Sequence, residues 1–180
     1  MRKKVAVIVW LVLILRVNGS AVSPSPSVIK GDVVTISVEQ QYEAVQPGSK
    51  SALAVHFELE KDWHFYASAK TAPGGMNLKI RSSAEKYVSF GEPIFPASQL
   101  YFDKSSGKKL EVFSDKFTIF LPFSIGPLLS GAGGIGVKIS IEGAVCSDIQ
   151  CRVPDFGRLS TELKIVPDAA MSKPRANQAE

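Results

Sequence analysis

Between Leu53 and Leu59 the chain alternates: Leu53, Val55, Phe57 and Leu59 are separated by Ala54, His56 and Glu58. A period of two is what a β-strand needs to lay one face on a core and the other toward water, and a helix cannot gather such a set on one side. Phe117, Ile119, Leu121 and Phe123 repeat the pattern, as do Val137, Ile139 and Ile141, and then Leu163 and Ile165. Further strands are expected over Val33 to Val38, His64 to Ala67, Met76 to Ile80 and Tyr87 to Phe90. Turn formers punctuate these runs: Pro47 with Gly48, Pro73 with Gly74 and Gly75, Gly91 with Pro93 and Pro96, Gly126 with Pro127, and the glycine-rich stretch from Gly131 to Gly136. No stretch sustains a helical apolar period. The expected fold is therefore all-β, with about seven to nine antiparallel strands in two sheets packed face to face, an immunoglobulin-like β-sandwich. A closed barrel would show the same periodicity.

The N-terminus reads as an export signal over 1–21. Arg2, Lys3 and Lys4 precede an apolar run from Val5 to Leu15, and Gly19, Ser20 and Ala21 supply small residues for cleavage. The run stops at Arg16, well short of the roughly 20 residues of a spanning helix. No cysteine near the cleavage point supports a lipid anchor. A flexible leader is expected over 22–32, one domain over 33–167, and a polar, disordered tail over 168–180. The formal charge of +4 comes from the signal: without Arg2, Lys3, Lys4 and Arg16 the 21 Lys and Arg become 17, matching the 17 Asp and Glu. A near-neutral mature chain has no electrostatic basis for gripping phosphates, so nucleic acid is not an expected partner. No later segment is apolar enough to insert directly into a membrane.

The two cysteines, Cys146 and Cys151, close the run that begins at Val137. In an exported chain they are expected to pair with each other. Fully extended, the intervening chain would hold them about 16 Å apart, so it must fold back. Ser147 and Asp148 favour such a turn through side-chain bonds to nearby backbone. A bridge this local removes only roughly 2 kcal/mol of unfolded-state entropy. That is a weak reason for a staple, and the bridge can open without unfolding a sandwich, so a redox-active pair is the favoured reading over an inert local disulfide. Metal binding by the two thiolates ranks third, since only His56 and His64 are available as further nitrogen ligands.

Trp63, His64, Phe65 and Tyr66 form the other marked cluster. On a strand, His64 and Tyr66 share one face, and Trp63 and Phe65 the other. Either the first pair is an exposed edge, or His64 lies beside a cysteine, where it could stabilise a thiolate or shuttle a proton. His56 alternates with core positions and reads as a solvated strand residue. The connection from Gly91 to about Lys109 is long, with Phe95, Tyr101 and Phe102 in it, and is either a surface excursion or a flap over a site. The glycines of 131–136 read as a turn, since no helical pattern follows them.

Taken in order, Gln46-Pro47-Gly48, Asp62-Trp63-His64-Phe65-Tyr66, Pro73-Gly74-Gly75, Phe95-Pro96, Lys116 to Pro122, and Cys146-Ser147-Asp148-Ile149-Gln150-Cys151 with Pro154 resemble the N-terminal periplasmic domain of the thiol:disulfide interchange protein DsbD. The resemblance runs from about Val33 to Val166. It implies an immunoglobulin-like domain in the bacterial periplasm, a component of a protein-disulfide reductase. Its cysteine pair would take electrons from a thioredoxin-like, membrane-linked donor and pass them to oxidised extracytoplasmic client proteins. It implies that Cys151 forms the mixed disulfide with partners and that Cys146 resolves it. A cap loop over about Pro96 to Lys109 would shield the pair with Tyr101 or Phe102, and His64 and Tyr66 would stand beside it, with Asp148 in the turn. Neither a cofactor nor a resident metal is called for. His64 departs from the tyrosine of some relatives, Arg152-Val153 replaces residues often aromatic or proline, and the cysteine spacing is one shorter than in some members. Neither a membrane electron-carrying domain nor a thioredoxin-like domain follows, so the donor is expected to be a separate protein. The rival class is a non-catalytic immunoglobulin-like binding module with an inert bridge.

Overall fold

The computed structural model describes residues 27–166, apart from 86, 105, 128–132 and 157–158. The expected export signal (1–21), the start of the leader (22–26) and the tail (168–180) lie outside the described residues.

Each alternating run forms a strand, and the pairing register sets the layers. In one sheet the order is β1 (Ser27–Lys30), β2 (Val34–Gln40), β3 (Lys50–Leu59), β9 (Lys116–Ile125) and β6 (Val88–Phe90). Its central pair sets Leu53 opposite Leu121, Val55 opposite Ile119 and Phe57 opposite Phe117, so the apolar members of both strands project to one side. A second sheet has the order β13 (Leu159–Ile165), β10 (Gly133–Glu142) and β5 (Lys79–Ala84). The third runs β12 (Cys151–Arg152), β11 (Val145–Cys146), β4 (His64–Tyr66), β8 (Lys108–Ser114) and β7 (Gln99–Asp103). All pairings between these strands are antiparallel.

One hydrophobic core takes side chains from all three sheets. Ile36, Val55, Phe57, Ile119 and Leu121 enter from the first, Val137, Ile139, Leu163 and Ile165 from the second, and Phe65, Phe113 and Val145 from the third. Phe57 stacks on Phe117 at 4.7 Å between centroids and meets Phe65 edge-on at 5.8 Å, which ties the first sheet to the third across the core. Burying each such side chain contributes about 1.5–3 kcal/mol, so the sandwich rests on this interior.

The all-β, antiparallel, immunoglobulin-like sandwich agrees with the alternation in the sequence, but several elements differ in place. The layer expected as one sheet is two, because the chain steps from β10 to β11 between them. Gly133, Gly134 and Gly136, expected in a turn, lie in β10: Ile135, Val137, Ile139 and Ile141 alternate into the core, and pairing with β13 overrides the poor strand propensity of glycine. The strand expected over Met76 to Ile80 begins only at Lys79, because Leu78 N–H donates to Tyr66 O at 2.8 Å and holds the preceding residues beside β4. Within the expected leader, Ser27–Lys30 is β1, paired along β2. The long connection from Gly91 to Lys109 contains β7, which forms a hairpin with β8 rather than an irregular loop.

Candidate functional site

At the end of β10 the chain changes sheet through Gly143 and Ala144. Gly143 has φ 141°, and a Cβ there would lie 3.1 Å from both Asn77 O and Leu78 Cα, so a side chain would be strained and crowded at once. Beyond it, β11 and β12 form a small hairpin whose tip is Asp148 and Ile149. Ser147 N–H donates to Gln150 O at 2.8 Å, and Ser147 Oγ accepts from Ile149 N–H at 3.4 Å. That closure puts Cys146 directly opposite Cys151, with Cα atoms 4.0 Å apart, and the two are disulfide-bonded. The halves of the bridge meet different surroundings: Cys146 is 0 % exposed, whereas Cys151 is exposed at the sheet edge.

The inner half is enclosed by the second face of the third sheet. Because side chains alternate, Phe65 of β4 points into the main core while His64 and Tyr66 point the other way. There Tyr66, Leu110, Val112, Ala144 and Cys146 form a separate small cluster, with Met76 and Tyr101 packed against it. His64 pairs directly with Cys146 in the β11–β4 ladder. It is only 4 % exposed, and its Nε2 has no hydrogen-bond partner among the described residues.

Tyr101 closes the arrangement. Its ring lies 4.4 Å from that of His64, and Tyr66 stands edge-on to His64 at 5.3 Å. The Tyr101 hydroxyl donates to Asp148 Oδ1, and Lys104 Nζ pairs with Asp148 Oδ2 at 3.0 Å. The β7–β8 hairpin is thus tied to the turn that carries the disulfide. These contacts set the protonation of the site. The Tyr101 bond, and after it Lys104, hold the Asp148 carboxyl below its ordinary value. The same bond, with burial adding to it, pushes Tyr101 up to about 12. Burial pushes Tyr66 up, with the Asp103 charge adding to it. Burial lowers His64, and the charges of Asp148 and Asp103 partly oppose that.

Of the residues singled out in the sequence, Cys146, Cys151, His64, Tyr66, Tyr101 and Asp148 come together. Phe102 does not: it occupies the opposite face of β7 and is 55 % exposed, since adjacent strand residues point apart. Phe95 lies elsewhere, stacked on Phe113 at 5.9 Å. His56 is on β3, where Nδ1 and Thr118 Oγ1 share a 2.8 Å hydrogen bond. Among the described residues no three His, Cys, Asp or Glu side chains group to hold a metal ion. Sequence reasoning missed Lys104, which is 44 residues from Asp148. It also missed Gly143; a glycine closing the alternating run just before the cysteines was the available signal. Arg152 lies 5.3 Å over the Trp63 ring and 3.4 Å from Asp32, anchoring the outer strand of the hairpin.

Comparison with known proteins bears on the chain as a whole. No curated protein matches the sequence. Among solved structures, the chain is similar to the N-terminal periplasmic domain of ScsB from Proteus mirabilis, with 11% identity and a TM-score of 0.49 over 79% of this chain and 51% of that one. The chain thus spans about half the length of that structure. It is also similar to the N-terminal domain of DsbD from Neisseria meningitidis in the reduced form, with 12% identity and a TM-score of 0.38 over 84% of this chain and 91% of that one. The family described as thiol:disulfide interchange protein DsbD, N-terminal, matches residues 32–162, which include the β11–β12 disulfide, its covering hairpin and nearly all of the core. The chain belongs to the DsbD N-terminal domain family, as a thiol:disulfide interchange domain with a disulfide pair.

Proposed function

We propose that this domain works in the periplasm, after loss of its export signal, as a carrier of electron pairs from a thioredoxin-like donor to oxidised client proteins. The observation that carries this reading is the unequal burial of the bridge: Cys151 is exposed at a sheet edge and Cys146 is wholly enclosed. The more exposed cysteine is the one that partners attack, and the enclosed one is the leaving and resolving group.

In the loading half, a donor thiolate attacks Cys151 Sγ. The Cys146–Cys151 bond breaks, and its electron pair leaves on Cys146. The donor's second thiolate then attacks its own mixed-disulfide sulfur and releases Cys151, so the donor is oxidised by two electrons and the domain reduced by two. In the unloading half, Cys151 attacks a client disulfide, and Cys146 attacks Cys151 to free the client as a dithiol. No cofactor is needed in either half.

The test is covalent trapping with the full-length protein. Cys146→Ser should accumulate mixed disulfides through Cys151, and Cys151→Ser should accumulate none. The wild-type bridge should also equilibrate with a thioredoxin. A bridge that stays closed in that mixture, with no adduct in either variant, would leave a non-catalytic binding module as the reading.

A further inference from the structure

The unloading half requires an enclosed thiol to lose a proton. Cys146 lies on the inner face of the third sheet among Leu110, Val112, Ala144 and Tyr66, surroundings that oppose a free thiolate once the bridge is opened. Directly across the ladder stands His64, and side chains so paired have Cβ atoms about 4.5–5.5 Å apart. Its Nε2 is buried and has no hydrogen-bond partner among the described residues, and an unpaired buried nitrogen is a destabilising feature that calls for a reason.

We propose that His64 is the proton acceptor for Cys146, taking the thiol proton at Nε2 as Cys146 attacks the mixed disulfide on Cys151. The inference rests on the exchange reading above and adds the residue that makes its resolving step possible. In that step Cys146 Sγ forms the bond to Cys151 Sγ, and the bond from Cys151 to the client sulfur breaks with its electron pair on the client. The proton goes to His64. The client disulfide is reduced by two electrons in total, and the cysteine pair is oxidised by two. In the loading half the direction reverses: the proton given up by the donor's second thiol passes through His64 to the leaving Cys146 thiolate.

The groups around the imidazole suit this role. Burial lowers His64, so the ring is neutral and able to accept at neutral pH. Asp148, from the β11–β12 turn, and Asp103, at the end of β7, are the charges that favour the imidazolium once it forms. Tyr66 from β4 and Tyr101 from β7 face the ring as aromatic walls, and both are neutral in this range, their acidities having moved upward. Ser114, opposite His64 on β8, is uncharged. Lys104 pairs with Asp148 at 3.0 Å.

The two halves of the chemistry separate in a reaction with an aromatic disulfide whose thiolate is coloured, 5,5'-dithiobis(2-nitrobenzoate). Attack by Cys151 releases one coloured thiolate, and resolution by Cys146 releases the second. The reduced full-length protein, His64→Gln and His64→Phe would be followed by stopped flow from pH 5.5 to 9. Both variants should keep the first release near the wild-type rate, and a cooperative urea transition reports that they are folded. Their second release should slow by about 100-fold at pH 7, the lower range of general-base contributions. It should then rise with pH toward the ordinary thiol range near about 8.5, whereas the wild-type rate levels off well below that. A normal first release with an unchanged second rate and pH profile in either variant overturns the role of His64 alone. Absence of the first release from the wild-type protein overturns the exchange reading and this inference with it.

Discussion

Cys146 faces His64 across the β11–β4 ladder, and both are buried on the same side of the sheet, with Tyr101 laid over the imidazole. The inner half of the disulfide therefore has an ionisable neighbour paired directly with it, whereas Cys151 pairs with Cys146 on the outer strand. A bridge holding two sheets together would have no use for this asymmetry.

Opening the bridge should cost little stability. The cysteines are separated by 5 positions, and closing so short a loop removes about 2 kcal/mol of unfolded-state entropy. Urea denaturation of the oxidised protein against the Cys146→Ser/Cys151→Ser double variant should show a loss of about that size with a cooperative transition retained. A double variant without a folded baseline would mean that the disulfide is a staple.

Tyr101→Phe should release the disulfide turn from the hairpin that covers it. The hydroxyl bond is the largest cause lowering Asp148, so its carboxyl should titrate closer to the ordinary 3.8 in the variant, as read by carbon-detected NMR. The signs bound a pH window. A depressed carboxyl contributes stability above its ordinary value and loses it as pH falls through the depressed one. A tyrosine raised from 10.0 to about 12 contributes below 10.0 and loses it as pH climbs through about 12. The contact thus holds between strongly acidic and strongly alkaline pH, and an Asp148 titration unmoved by the substitution would contradict it.

Gly143→Ala should destabilise the fold by about 1–3 kcal/mol, the usual range for a residue forced into a sparsely populated backbone region. The added methyl would also press on Asn77 O and Leu78 Cα, each 3.1 Å away. Thermal and urea unfolding would read the loss. A variant as stable as wild type would show that the step between sheets tolerates a side chain.

Two aromatic truncations should separate sharply. Phe65 is 0 % exposed and meets the rings of Phe57, Phe117 and Phe156, so Phe65→Ala should cost about 3–5 kcal/mol. Phe102, 55 % exposed on the outer face of β7, should lose less than about 0.5 kcal/mol on change to Ser. Equal losses in calorimetry would refute the assignment of faces along β4 and β7.

Local rules made much of this protein legible from its residues. A period of two along Leu53 to Leu59 and Phe117 to Phe123 names both the strands and their inward faces, because side-chain direction in a strand depends only on neighbouring peptides. The same rule separates Phe65 from His64. Two cysteines five positions apart that pair with each other call for a turn between them. Strand limits were less legible where glycines or short pairings intervene, as in β10 and β5, because there the partner strand rather than the local residues decides.

Proximity across the chain was not in the residues. Tyr101 and Phe102 are adjacent aromatics, and only the pairing of β7 with β8 decides which of them turns toward the site. Tyr101 reaches Asp148 across 47 positions and Lys104 across 44, distances at which spacing carries no information. The amino-acid order by itself determined the alternating strands such as β3 and β9, their buried faces and the turn between the two cysteines, since each follows from interactions within a few residues. Which half of the bridge is enclosed, and that a histidine stands against it, was decided only when β11 paired with β4, because side chains so far apart in sequence become neighbours solely through the register of the folded sheet.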